Sequence, residues 1–66
     1  MQVVVNGEYR EIDAGETVSG LLKSLQIEPE RVAVELDRRI VKRAQWEETL
    51  LRDGAQLEIV QFVGGG

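Results

Sequence analysis

One segment of the chain has the periodicity of a helix, and it restricts what the remaining residues can form. Four apolar residues fall at positions i, i+3, i+4 and i+7 of an otherwise polar segment: Val18, Leu21, Leu22 and Leu25. Thr17 precedes them as a candidate N-cap, and Pro29 disfavours helical geometry in the residue before it. We therefore expect a helix that begins after Thr17 and ends near Gln26 or Ile27, with one face that needs an apolar surface to cover.

The other apolar residues alternate with polar ones, as in strands with one buried face. This pattern occurs in residues 1–5, 8–13, 32–36, 40–42 and 57–62. Asn6-Gly7 is a strong hairpin signal, Asp37-Arg38-Arg39 is a polar connection, and Asp53-Gly54 has turn chemistry. Residues 43–51 show no clean period, so we expect a crossing loop with a helical turn, in which Trp46 packs against the sheet.

The order strand, strand, helix, strand, strand, strand predicts the α+β class. The specific expectation is a ubiquitin-like β-grasp: a mixed sheet of four to five strands with one helix packed on one face. With 66 residues, the chain has room for one domain. We place this domain at residues 1–63 and a flexible glycine tail at residues 64–66.

Composition excludes several classes of chemistry. The sequence contains no cysteine and no histidine, so it has no thiol nucleophile, imidazole base or disulfide, and we predict neither a catalytic residue nor a metal site. Twelve acidic and eight basic residues give a net charge of -4, which disfavours binding to nucleic acid. No apolar run is long enough to span a membrane and the start lacks a secretion signal, so we expect a cytoplasmic location without membrane contact.

The glycines that end the sequence follow the last predicted strand directly. Glycine has no side chain to hinder close approach, so Gly64, Gly65 and Gly66 form a thin thread that can enter a narrow channel. Its position suits presentation of the Gly66 carboxylate to another molecule.

With this tail, the whole chain resembles the ThiS family of sulfur carriers in thiamine biosynthesis. The resemblance rests on the following residues and motifs: Asn6-Gly7, Thr17-Val18, Leu21-Leu22, residues 32–36, Arg43, Trp46, Thr49, Leu51, Asp53-Gly54, residues 58–60 and residues 63–66. The sequence departs from the family at two turns. Family members often have asparagine-glycine where this chain has Asp37-Arg38, and an acidic residue where it has Ala55.

The resemblance implies a carrier rather than an enzyme. An E1-like adenylating enzyme of the ThiF type is expected to use ATP to convert the Gly66 carboxylate to an acyl adenylate. Sulfur from a donor enzyme then displaces AMP and leaves a thiocarboxylate, which donates its sulfur at a thiazole synthase of the ThiG type. Gly64 and Gly65 are the spacer that enters the partner's active site, and the chain itself binds no cofactor.

Strand parity predicts a docking surface beside this tail. If Leu57 and Ile59 face the helix, then Val60 and Phe62 point away from it, and in a ubiquitin-like sheet Val4 does too. We expect Val4, Val60 and Phe62 to form an apolar patch, rimmed by charge, that binds the partner.

Three other functions share these features. A carrier for molybdopterin or cysteine formation would have the same tail chemistry. A ubiquitin-like modifier would join Gly66 to a lysine of another protein, and an inert interaction module would use only its folded body.

Overall fold

The computed structural model describes residues 1–62, which form a five-stranded sheet with one α-helix against one face. The elements are β1 (Gln2–Val5), β2 (Glu8–Glu11), α1 (Val18–Ser24), β3 (Val32–Leu36), β4 (Arg39–Val41) and β5 (Gln56–Gln61). Short 3₁₀ turns lie at Pro29–Arg31 and Arg43–Gln45. The predicted boundary at Val63 and the predicted flexible tail lie outside the described residues.

The strand order across the sheet is β2-β1-β5-β3-β4. β5 pairs in parallel with β1 and antiparallel with β3, while both hairpin pairs, β1 with β2 and β3 with β4, are antiparallel. The sheet is therefore mixed, and the predicted α+β, β-grasp architecture is confirmed. β5, the last strand in the described part of the chain, occupies the centre of the sheet.

The core lies between α1 and the inner face of the sheet. Its most completely buried side chains come from both layers: Val3, Val18, Leu21, Leu22, Val34 and Leu57. Full burial of one such side chain stabilises the fold by about 1.5–3 kcal/mol relative to exposure. The predicted helical stripe is correct, although Leu25, at its end, is only partly buried.

The helix begins where the sequence predicts and ends earlier. The hydroxyl of Thr17 accepts a hydrogen bond from the backbone N–H of Gly20 at 3.0 Å, which confirms the N-cap. The predicted end near Gln26 or Ile27 is wrong, because α1 ends at Ser24 and Gln26 adopts a left-handed conformation with φ of 60°. The N–H groups of Gln26 and Ile27 then donate back to the carbonyls of Lys23 and Leu22, each at 3.0 Å, which is a Schellman motif.

The crossing segment between β4 and β5 closes one end of the core. Trp46 is 4 % exposed, and its indole N–H donates to the carbonyl oxygen of Val41 at 2.8 Å. Trp46 is thus a packing residue with a satisfied polar atom, as predicted. The expected helical turn is the 3₁₀ turn at Arg43–Gln45.

The amino group of Met1 is held at the edge between β1 and β2. It donates to a carboxylate oxygen of Glu11 at 2.9 Å and to the carbonyl oxygen of Ile12 at 2.8 Å. The hydrogen bond with Glu11 raises the pKa of this amino group above its ordinary value of 8.0.

Within residues 1–62, no helix is both long and apolar enough to cross a membrane.

Both hairpins turn through two residues with positive φ. In the first, Asn6 and Gly7 have φ of 49° and 83°, and in the second, Asp37 and Arg38 have φ of 49° and 72°. The connection predicted at residues 37–39 is one residue too long, since Arg39 already opens β4. The second turn lacks a glycine, so Arg38 carries the steric cost of the left-handed conformation.

We predict that Arg38→Gly stabilises the protein by about 1 kcal/mol, because glycine adopts positive φ without steric penalty. Urea denaturation of the wild type and the variant measures the difference. Arg38→Ala is the matched control, since it removes the same charge and keeps the penalty of a side chain at positive φ. Equal stabilisation by both variants would trace the effect to charge and contradict the backbone argument.

Candidate functional site

The candidate site is the end of β5, from which the glycine tail continues. The register pairs Val60 with Ala33 of β3, and the backbone N–H of Phe62 donates to the carbonyl oxygen of Arg31 at 2.8 Å. Backbone pairing therefore extends to Phe62, the last described residue. The predicted functional residues Gly64, Gly65 and Gly66 lie beyond it, outside the part of the chain that the structure describes.

On the other edge of β5, beyond the end of β1, the side chain of Asn6 continues the hydrogen bonding. The carboxamide of Asn6 accepts a hydrogen bond from the N–H of Ile59 at 2.7 Å and donates to the carbonyl oxygen of Ile59 at 3.1 Å. These two hydrogen bonds take the place of the backbone hydrogen bonds that a longer β1 would form with β5. The strand is thus held on both sides close to the tail.

The outer face of the sheet, away from α1, carries the predicted docking residues. Val60 is 54 % exposed and Phe62 is 63 % exposed, in agreement with the predicted parity. Val4 also points to this face but is half-buried, and it pairs with Tyr9 and Gln56 rather than with Val60. Val60 is the fourth residue after Gln56 along β5, a distance of about 13 Å. The structure therefore does not bring Val4 together with Val60 and Phe62, because strand parity sets the face but not the position along it.

Two other apolar residues take the place of Val4 beside the end of β5. Ala33 lies opposite Val60, and Ile40 of β4, which is 76 % exposed, shares the outer face through its pairing with Glu35. Ala33, Ile40 and Phe62 also line one shallow groove of about 380 Å³. We call Ala33, Ile40, Val60 and Phe62 the tail-root patch. The sequence could not reveal Ile40 as a member, because a strand of three residues is too short to show its own parity.

The chemistry of this region is that of a binding surface. Among residues 1–62, no group of three or more acidic side chains is placed to hold a metal ion. The side chains at the patch are apolar, and those around it are charged, among them Glu58 and Arg43. Such a surface can bind another protein.

Comparison with known proteins identifies the family. The model of the ThiS family matches residues 3–66. The chain belongs to the ThiS family. The match includes the terminal glycines and all of the sheet except Gln2, the first residue of β1.

Individual ThiS-family relatives agree with this assignment. Sulfur carrier protein ThiS of Escherichia coli (strain K12) is 33 % identical over 66 residues, and the alignment covers all of both chains. The crystal structure of the thiamine biosynthesis protein (ThiS) from Geobacter metallireducens superimposes with a TM-score of 0.86, at 33 % identity and full coverage of both chains. The β-grasp fold described above is thus the fold of that protein.

A longer protein also contains a ThiS-like region. Thiazole synthase of Magnetococcus marinus is 41 % identical over 66 residues, which is all of this chain and 20 % of that protein. The chain therefore spans about one fifth of the length of this relative.

We predict that Asn6→Ala in this ThiS-family chain lowers the free energy of unfolding by about 1–3 kcal/mol, because it leaves the N–H and carbonyl of Ile59 without partners. Asn6→Asp, which retains the acceptor and loses the donor, should cost less. Urea denaturation gives both values, and hydrogen exchange at the Ile59 amide reports local opening of β5.

Gln56→Ala is the control, because it removes an exposed amide side chain from the same strand. Its effect should stay within about 0.5 kcal/mol. An equally small effect of Asn6→Ala would contradict the anchoring role of the Asn6 carboxamide.

Proposed function

We propose that this chain is a sulfur carrier of thiamine biosynthesis and that Gly66 carries the sulfur. The observation that carries the proposal is the ThiS family match over residues 3–66, which spans the sheet and the terminal glycines together. The name of the E. coli relative, a sulfur carrier protein, supports the same function. The chain carries the sulfur and is modified by other enzymes; it is not itself the catalyst.

The chemistry follows from the low reactivity of a carboxylate. The Gly66 carboxylate attacks the α-phosphorus of ATP in a partner's active site, pyrophosphate leaves, and an acyl adenylate forms. Sulfide released by a donor enzyme then attacks the acyl carbon and AMP leaves, so that a thiocarboxylate remains. ATP is bound by the adenylating partner and not by this chain. Gly64 and Gly65 span the channel without steric conflict.

Three partners serve this cycle: an adenylating enzyme of the E1-like, ThiF type, a sulfur donor enzyme, and a thiazole synthase of the ThiG type. The thiazole synthase of Magnetococcus marinus supports the last of these, because a region similar to this whole chain forms part of that protein. The net charge of -4 disfavours a nucleic acid partner. We place the cycle in the cytoplasm, where ATP is available.

The folded body has to supply the affinity for these partners. Ordering three glycines on entry into a channel costs about 1–2 kcal/mol per residue in backbone entropy. Burial of one exposed Ile or Phe side chain contributes about 1.5–3 kcal/mol of favourable binding free energy. Ile40 and Phe62, the two large side chains of the tail-root patch, can therefore offset most of the ordering cost. Val4, with Tyr9, forms a separate apolar pair on the β1–β2 half of the same face, and its part in docking stays a prediction.

The carrier function is tested by mass spectrometry of the intact chain after incubation with ATP, an adenylating enzyme and a sulfur donor. We expect the mass to increase by the difference between one sulfur and one oxygen. Deletion of Gly66 should abolish this change, because the tail then no longer reaches the nucleotide.

Three results would argue against this assignment. Attachment of the chain to other proteins indicates a modifier, and an unchanged mass indicates an inert module. A mass shift that persists without Gly66 would place the sulfur elsewhere. Co-purification with thiazole synthase, rather than with enzymes of molybdopterin or cysteine formation, tests the pathway.

We predict that Phe62→Glu weakens binding to the adenylating enzyme by at least tenfold, since it places a charge in the apolar interface. The fold should be unaffected, because Phe62 is exposed. Leu50→Glu is the matched control: Leu50 is 62 % exposed and pairs with Thr17 at the start of the helix, away from the patch. Equal affinities of the two variants, measured by titration calorimetry, would remove Phe62 from the interface.

A further inference from the structure

The tail-root patch lies between charges of opposite sign. On one side, Glu35 of β3 and Glu58 of β5 are directly opposite each other on the outer face. On the other side, Lys42 and Arg43 line the same groove as Phe62. Within residues 1–62, none of these four charged side chains takes part in an ion pair.

The two carboxylates are unfavourable to the folded chain on its own. Like charges that face each other across neighbouring strands destabilise a sheet, and Glu35 is half-buried, so solvent screens it less than a fully exposed group. The strand pairing needs no acidic side chain at either position. A cation on a bound partner would relieve this repulsion.

The charged residues lie directly next to the apolar residues of the patch. Glu58 and Val60 are two residues apart on one strand and point to the same face, so their rows are about 7 Å apart. Val60 pairs with Ala33, and the groove beside Ala33 reaches Lys42 and Arg43. Along β5 the outer face is therefore acidic at Glu58 and apolar at Val60, and the rim of the groove is basic. Ile40, which pairs with Glu35, flanks the acidic pair on the β4 side.

We propose that these charges fix the orientation in which this face docks on the adenylating enzyme. A basic side chain of that enzyme meets the Glu35–Glu58 pair, and an acidic side chain meets Lys42 and Arg43. This inference rests on the proposed function. An enzyme that binds ATP carries cationic side chains for the triphosphate, which makes a cation near the mouth of its channel the natural partner for two carboxylates.

Orientation matters because the residues that the partner must reach follow only one end of β5. β5 runs from Gln56 to Gln61, and in the sequence Phe62 and the glycines come after that end. A partner that bound the apolar patch after half a turn would bring like charges together and would have its channel on the wrong side. The apolar side chains alone do not distinguish the two orientations, whereas the charges do.

The test is the affinity of the full chain for the purified adenylating enzyme at low and at physiological salt, together with the melting temperature of each variant. Glu58→Gln and Glu35→Gln should each bind roughly five- to tenfold more weakly at low salt, with a shallower salt dependence. Each should also raise the melting temperature by a few degrees, because the repulsion is removed. Asp13→Asn is the control: it loses the same charge, but Asp13 is exposed in the connection between β2 and α1 and does not line the groove of Phe62.

The basic side is tested in the same way. Arg43→Gln should weaken binding by a similar factor, whereas Lys23→Gln, which removes a positive charge from the exposed side of the helix, should not. Charge reversal in Glu58→Lys should reduce the affinity further than Glu58→Gln.

Two outcomes overturn the proposal. The first is that Glu58→Gln and Asp13→Asn bind with the same affinity and salt dependence, and the second is that neither Glu35→Gln nor Glu58→Gln raises the melting temperature. Failure of the proposed function has a different signature, since the wild type would then form no thiocarboxylate. If the function holds and the charges orient docking, saturating enzyme restores thiocarboxylate formation in Glu58→Gln.

Discussion

The pairing of β5 with strands on both of its sides is the interaction on which the rest of the structure depends. β5 is the last element within residues 1–62, yet it joins the β1–β2 hairpin to the β3–β4 hairpin. Without it the two hairpins share no backbone hydrogen bonds, and the helix has no continuous sheet to cover. Because Val4 pairs with Gln56, this closure joins opposite ends of the sequence. Its loop-closure entropy must be offset by the core that forms at the same time, so we expect folding to be slower than that of a helical protein of this size.

Features that depend on neighbouring residues were predictable from the sequence. The Thr17 cap, the helical stripe, the Asn6-Gly7 turn and the outward parity of Val60 and Phe62 all follow from short-range periodicity or backbone sterics. The packing of Trp46 followed from the size of its side chain. In each case the local preference and the tertiary structure agree.

Features set by distant pairing or by tolerated strain were not predictable. The register of β1 against β5 separates Val4 from Val60, and no short-range pattern carries that information. Gln26 and Arg38 adopt left-handed conformations that their side chains disfavour, so the end of the helix and the length of the second turn were misplaced. Ile40 was not predicted to join the tail-root patch, because its exposure depends on the pairing of a three-residue strand. These positions lie in turns and at an edge, where tertiary contacts override propensity.

The central position of β5 also has a mechanical consequence. A partner that grips the glycine thread pulls along the axis of β5, so the hydrogen bonds to β1 and β3 are stressed in shear, all at the same time. Peeling an edge strand would break such bonds one after another at much lower force. On the β3 side the backbone bonds continue to Phe62, and on the β1 side the Asn6 carboxamide extends the bonding to Ile59, so tension on β5 is shared between both neighbouring strands. The folded domain can therefore resist a pulling force on the C-terminus without unfolding while the terminal carboxylate reacts.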